Sequence, residues 1–229
     1  SWTVNGGTVN GATGQVLPEG FFVGGDEVQC HITPNDGSTN GTMVSSNSVT
    51  ITNSAPAVSL VEIINQNGTQ VIYTDDTLSA NITASDVDGE TISYSYQWRS
   101  GGSLLSTSDT LDGAFFSKED SISVTVTPTD GNSTNGTGSS VSSGSVTVLN
   151  SPPTSPSVSI SPNQPYTGED DLICTIDNIS SDADGDNVEY IYEWIDPNGD
   201  MQQVNGPTSA NNNVYSASGT IEGTWTCEV

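Results

Sequence analysis

The chain has 229 residues, 2 Lys+Arg against 28 Asp+Glu for a net charge of −26, and only 7% aromatic residues. So few cations leave no basic patch to neutralise phosphates, which excludes nucleic acid as a partner and sets the chain against anionic membrane surfaces. No stretch approaches the roughly 18 apolar residues of a membrane span, and residue 1 begins no recognisable signal peptide, so any anchor or export signal is expected outside these residues.

In chain order, the first landmark is Trp2, and it returns as Trp98 and Trp194, 96 residues apart twice over. Val28-Gln-Cys-His-Ile-Thr-Pro-Asn-Asp-Gly37 follows, aligns with Ile122-Ser-Val-Thr-Val-Thr-Pro-Thr-Asp-Gly131, and begins again at Trp225-Thr-Cys-Glu-Val229. A linker is expected at Asn53-Ser-Ala-Pro56, where proline denies ladder hydrogen bonds. Leu78-Ser-Ala-Asn-Ile82, Tyr94-Ser-Tyr-Gln-Trp98, Ile122-Ser-Val-Thr-Val126 and Val146-Thr-Val148 then alternate large or apolar with small polar side chains. That period of two predicts strands with one buried face. A second linker is expected at Asn150-Ser-Pro-Pro-Thr-Ser-Pro156. Asn-Gly, Asp-Gly and Gly-Gly clusters between the runs supply hairpin turns, and no helix of useful length is expected.

A period near 100 residues is too long for a solenoid and predicts tandem domains. Roughly seven short strands per repeat predict antiparallel β-sandwiches of immunoglobulin-like plan in an extended, semi-rigid array. The register divides the chain into the C-terminal part of a first repeat at 1–54, a complete second repeat at 55–151, and a third at 152–229 that lacks its last strand. A piece of a longer array, or a subunit completed by its neighbours, are both open readings.

Superposing the repeats places Cys174 on Ala80, and both Cys227 and Cys30 on Val124. The second repeat lacks both cysteines and the third has both, which predicts a Cys174–Cys227 bridge across the core with Trp194 beside it. Cys30 is then expected to pair with a strand preceding residue 1. Three reduced thiols in a cytosolic protein is the competing reading. A bridge implies an oxidising compartment. Six Asn-X-Ser/Thr sequons, at Asn40, Asn67, Asn81, Asn132, Asn135 and Asn178, point the same way as glycosylation acceptors, with Asn40 and Asn135 favoured as equivalent hairpin positions.

Asp86-Val-Asp-Gly-Glu90, followed by Tyr94, Tyr96 and Trp98, matches Asp182-Ala-Asp-Gly-Asp186, followed by Tyr190, Tyr192 and Trp194, without a gap. Asp86, Asp88 and Glu90, and their counterparts Asp182, Asp184 and Asp186, are candidate calcium ligands, because calcium takes six to eight hard oxygens. The glycine placement is not that of an EF-hand, so further ligands would come from elsewhere, for example Asp75 and Asp76 or Glu169, Asp170 and Asp171. The competing reading is an Asp-rich turn whose side chains bond its own backbone amides. His31 and Cys30 are adjacent on a strand and point to opposite faces, so no Cys-His nucleophile and no enzyme is expected, and His31 should face solvent. The strand tyrosines and tryptophans share the register of core positions, which favours packing over a sugar platform.

Ser-Asp-Ala-Asp-Gly-Asp, Tyr-X-Tyr-X-Trp, Thr-Trp-Thr-Cys and Thr-Pro-X-Asp-Gly together resemble the tandem immunoglobulin-like or cadherin-like repeats of large prokaryotic cell-surface proteins, calcium-associated adhesins included. The resemblance spans essentially the whole chain. It implies an extracellular glycoprotein repeat at the cell surface, with calcium at the acidic turns and neighbouring copies or repeats of the same protein as partners. Its role would be a stalk or filament of serial or strand-complemented modules. The alternative is an adhesin or carbohydrate-binding module, with glycans as partners.

Overall fold

The computed structural model describes residues 1–229 and is all-β, with twenty strands and two single-turn 3-10 segments, Gly113–Phe115 and Ala217–Gly219. By contact density the chain divides into two compact units, one of Ser1–Ile72 and Asp76–Val148, the other of Tyr73–Asp75 and Leu149–Val229.

The first unit opens with β1 (Trp2–Val4), β2 (Gly7–Thr8), β3 (Glu27–Ile32), β4 (Val44–Ser45) and β5 (Val49–Thr50), in the order β2-β1-β3-β4 with β5 also on β3. Asn5 and Gly6, both at positive φ (51° and 78°), turn β1 into β2 as a two-residue hairpin requires. Val28, Ala12 and Leu17 are buried here with Trp2, Val4, Phe22 and Ile51 packed around them.

Nine further strands follow: β6 (Ala57–Asn65), β7 (Ile72–Tyr73), β8 (Leu78–Ser85), β9 (Ser93–Ser100), β10 (Ser103–Ser106), β11 (Thr110–Leu111), β12 (Ser121–Thr129), β13 (Val141–Ser142) and β14 (Val146–Leu149). They form one sheet β11-β8-β6 and another β10-β9-β12-β14-β7, with β13 paired to β12. The alternation anticipated in the sequence appears in β12, where Ile122, Val124 and Val126 are fully buried. These residues share a core with Trp98 of β9 and with Val61, Ile63 and Leu78 of the other sheet, a sandwich-like packing. Trp98 is fully buried and satisfies its indole N–H on Ser108 O at 3.0 Å. On the same strand Arg99 donates to Gly102 O and to Gln97 Oε1.

The second unit carries β15 (Ser157–Ser161), β16 (Leu172–Asn178), β17 (Tyr190–Ile195), β18 (Met201–Thr208), β19 (Asn212–Tyr215) and β20 (Thr226–Glu228). Sheets β15-β16-β19 and β18-β17-β20 enclose Leu172, Cys174, Ile176, Tyr190, Tyr192, Trp194 and Cys227. The expected Cys174–Cys227 disulfide is present and joins β16 of one sheet to β20 of the other, with Cα atoms 6.3 Å apart. Cys30 is a free, half-buried thiol. No helix is long and apolar enough to cross a membrane.

One register recurs in all three segments. Trp2 faces Cys30 across its strand pair, Trp98 faces Val124, and Trp194 faces Cys227. Ala80 and Val124 both pack in the apolar core of the middle segment, where the last segment has its disulfide.

Because the disulfide spans 53 residues of sequence, reducing it should destabilise the second unit by about 3–4 kcal/mol on the chain-entropy account. Amide exchange with and without reductant reads this out. Protection in β16, β17 and β20 should fall, and protection in β9 and β12 should not change.

Candidate cation-binding turns

Both Asp-Gly turns are built by their first aspartate. Asp86 Oδ1 accepts from Asp88 N at 2.8 Å, and Asp182 Oδ1 accepts from Asp184 N at 2.9 Å and from Asp186 N at 3.2 Å. Gly89 and Gly185 then sit at φ of 80° and 75°, a region that residues with a Cβ rarely enter. The Asx turn, in which an aspartate bonds amides just ahead of it, is therefore one component of both sites.

The middle aspartate of each turn reaches away from it. Asp88 Oδ1 accepts from Gly24 N at 2.6 Å and Asp88 Oδ2 from Ser54 N at 2.7 Å. In the second unit Asp184 Oδ2 accepts from Ser151 N at 2.6 Å, and Asp184 Oδ1 accepts from the Thr74 hydroxyl. Ser54 and Ser151 each follow the asparagine that opens a proline-containing linker, so the same carboxylate position holds the same linker amide twice. The approach at Gly24 is close: a methyl group there would lie 2.7 Å from Asp88 Oδ2 and 2.9 Å from the Asn53 Cα. The Ser54 amide, then the Gly24 amide, hold the Asp88 carboxyl below its ordinary value.

With Asp88 engaged on backbone amides, the carboxylates that converge are Asp86, Glu90 and Asp130, whose ligating oxygens lie within 4.8 Å of one another. Asp130 arrives from the loop after β12, which is pinned by Asn132 N on Asp130 Oδ1 at 2.7 Å and by Asp130 N on Gly136 O at 3.0 Å. Asn53 joins them: it is 8% exposed, and its Nδ2 donates to Asp130 Oδ2 at 2.8 Å and to Ser54 O and Asn135 O, each at 3.2 Å. Local desolvation pushes the Glu90 carboxyl up, and the negative charges of Asp130, Asp86 and Asp88 push it further. Neither Asp130 nor Asn53 was nominated from sequence, although Asp130 lies in the repeated Thr-Pro-X-Asp-Gly segment.

Asp182, Asp184 and Asp186 also bring ligating oxygens within 4.8 Å of one another. Four of the five auxiliary acids suggested by sequence serve other groups. Asp75 accepts from Ser151 Oγ at 3.3 Å, buried Asp76 from Asn65 Nδ2 at 3.3 Å, Asp170 from Tyr166 N at 2.8 Å, and Asp171 from Ala217 N at 2.7 Å.

His31 is half-buried rather than freely solvated, with Nε2 3.0 Å from Thr3 Oγ1 and Nδ1 2.7 Å from Ser45 Oγ. All six sequon asparagines are exposed. Asn40 and Asn135 differ in place, however. Asn40 bridges Asn35, whereas in the second hairpin Thr137 bridges Thr129 and Asn135 sits at φ 57° inside the loop. The two loops differ in length, so the two asparagines are not equivalent.

No known family model matches the chain, and no curated protein matches it.

Two outcomes follow from the Asp88 geometry. Gly24→Ala should destabilise the first unit by about 1–3 kcal/mol through overpacking against Asp88 and Asn53, measured by denaturant unfolding. For Asp88 the folded pKa lies below the unfolded 3.8, so its contribution is complete above 3.8 and is lost as pH falls through the folded value. The stability gap between the native chain and Asp88→Asn should therefore stay level from neutral pH down to about 3.8, narrow below it, and be closed once pH has fallen through the folded value. Amide exchange at Gly24 and Ser54 should speed up in the variant.

Proposed function

We propose that the chain is a series of immunoglobulin-like β-sandwich modules acting as a structural repeat of an extracellular surface protein. In this reading the modules build a stalk or filament in the company of neighbouring copies or repeats, and the acidic turns take calcium. The observation that carries it is the recurring fastening of a linker amide by a turn carboxylate, Asp88 on Ser54 and Asp184 on Ser151. A module that grips the residue leading into its own first strand has its entry path fixed, which is what a serial load-bearing element needs and a catalytic domain does not. The Cys174–Cys227 disulfide supports an oxidising compartment, and the exposure of every sequon asparagine is compatible with export and glycosylation. A net charge of −26 would make calcium useful as a relief of self-repulsion.

Immunogold electron microscopy of intact source cells, with an antibody against the folded chain, tests this reading. Label along surface stalks or fibres is the expected result. Label confined to the cell interior would overturn it.

A further inference from the structure

Two buried side-chain oxygens in the chain have no hydrogen-bond partner, Asn53 Oδ1 and Asp86 Oδ2. They belong to one corner of the first unit. Asp86 is a member of the Asp86, Glu90, Asp130 cluster, and the Asn53 amide lies against Asp130 at 2.8 Å. Buried acceptors are almost always satisfied, so an orphaned oxygen within a cluster of three carboxylates and a second orphan on the amide beside it mark a place for a positive group. The distribution around Asn53 says the same: three oxygens crowd its amide nitrogen, which has only two hydrogens, while its amide oxygen has no donor at all.

We propose that Asn53, Asp86, Glu90 and Asp130 hold one calcium ion. This deepens the calcium part of the proposed function by assigning the ligands, and it removes Asp88 from them because both of its oxygens are bound to backbone amides. The donor set is all oxygen, with no histidine or cysteine, which disfavours zinc and copper. Mono- or bidentate carboxylates, the amide oxygen and water together reach the six to eight oxygens calcium accepts at flexible geometry, whereas magnesium demands a tight octahedron and keeps its waters. The ion would tie three separate segments together: the linker at Asn53, the turn 86–90 and the loop 130–136. The Asp182, Asp184, Asp186 cluster has no buried orphaned oxygen and is not included.

The test is calorimetric titration of calcium chloride into the chelator-treated full chain, with the Asn53 side-chain amide followed by NMR. Saturable binding in the range of extracellular modules, about 10⁻⁴–10⁻³ M, is expected, with the Asn53 amide shifting at the same saturation. Asp130→Asn and Glu90→Gln should each weaken the binding that moves the Asn53 amide at least about tenfold, and Asp186→Asn should leave that Asn53 shift unchanged. Glu90 is exposed, so Glu90→Gln keeps the fold. In calcium-free buffer it should melt at or above the native temperature, because one of the crowded negative charges is gone, yet it should lose the calcium-induced rise in Tm. Absence of saturable binding, an unmoved Asn53 amide, or a full calcium-induced rise in Glu90→Gln would each overturn the site. Such a failure together with immunogold label on surface fibres would sink the calcium assignment and leave the surface-repeat reading standing.

Discussion

The sheets are organised around a tryptophan set opposite a compact residue on the neighbouring strand. Trp98 and Trp194 are fully buried, and each lies across from a position that must be small enough to leave room for an indole: Val124 in one case, Cys227 in the other. The polar end of the ring must also be satisfied, and here the copies diverge. Trp2 donates to Gly14 O, Trp98 to Ser108 O and Trp194 to the Asn213 side chain. The register is thus held constant while the acceptor is supplied by whatever backbone or amide the local loop brings near. The cross-core position follows the same logic, being filled either by a disulfide or by the Ala80–Val124 apolar pair.

Around these cores the acidic residues act mainly as acceptors for main-chain amides. With 2 Lys+Arg in the chain, the carboxylates cannot be satisfied by ion pairs, and the loops show the alternative. Asp26 accepts from Val23 N, Asp36 from Ser38 N and Thr39 N, and Asp120 from Ser117 N. Asp196 is the most enclosed of these turns. Burial pushes its carboxyl up, but the amides of Asp200 and Asn198 and the side chains of Asn198 and Gln202 outweigh it and leave the carboxyl below its ordinary value. Charge-assisted bonds of this kind pin a loop without a counter-charge. They also explain why so acidic a chain, with little helical or ionic support, has ordered connections.

The sequence made some of this legible and hid the rest for physical reasons. Alternation of side chains reports which face of a strand is buried, so β8, β9, β12 and β14 could be placed within a few residues. The disulfide was legible because superposed repeats showed two positions changing together. The linker clamp was not, because the direction of the Asp88 carboxylate depends on the approach of Gly24 from 64 positions away in the chain. Asp130 was hidden for the same reason: local spacing groups Asp86, Asp88 and Glu90, while the fold exchanges the middle one for an acid from another loop. The glycine signature helped only in part, since it announces a turn but not what the turn holds.

The scarcity of basic residues also has a bearing on how the chain meets proteases. A protease that cleaves after lysine or arginine finds two peptide bonds in 229 residues. Arg99 lies next to the last residue of β9, paired on one side with β10 and on the other with β12. Lys118 lies in the tight turn that Asp120 closes on Ser117 N, with Glu119 at φ 71°. The first is already extended, but both of its edges are paired, so a protease cannot align with it without opening the sheet; the second cannot become extended without breaking the turn. Trypsin-like enzymes should therefore cut the folded chain slowly, a resistance arising from the same composition that fills its loops with carboxylates.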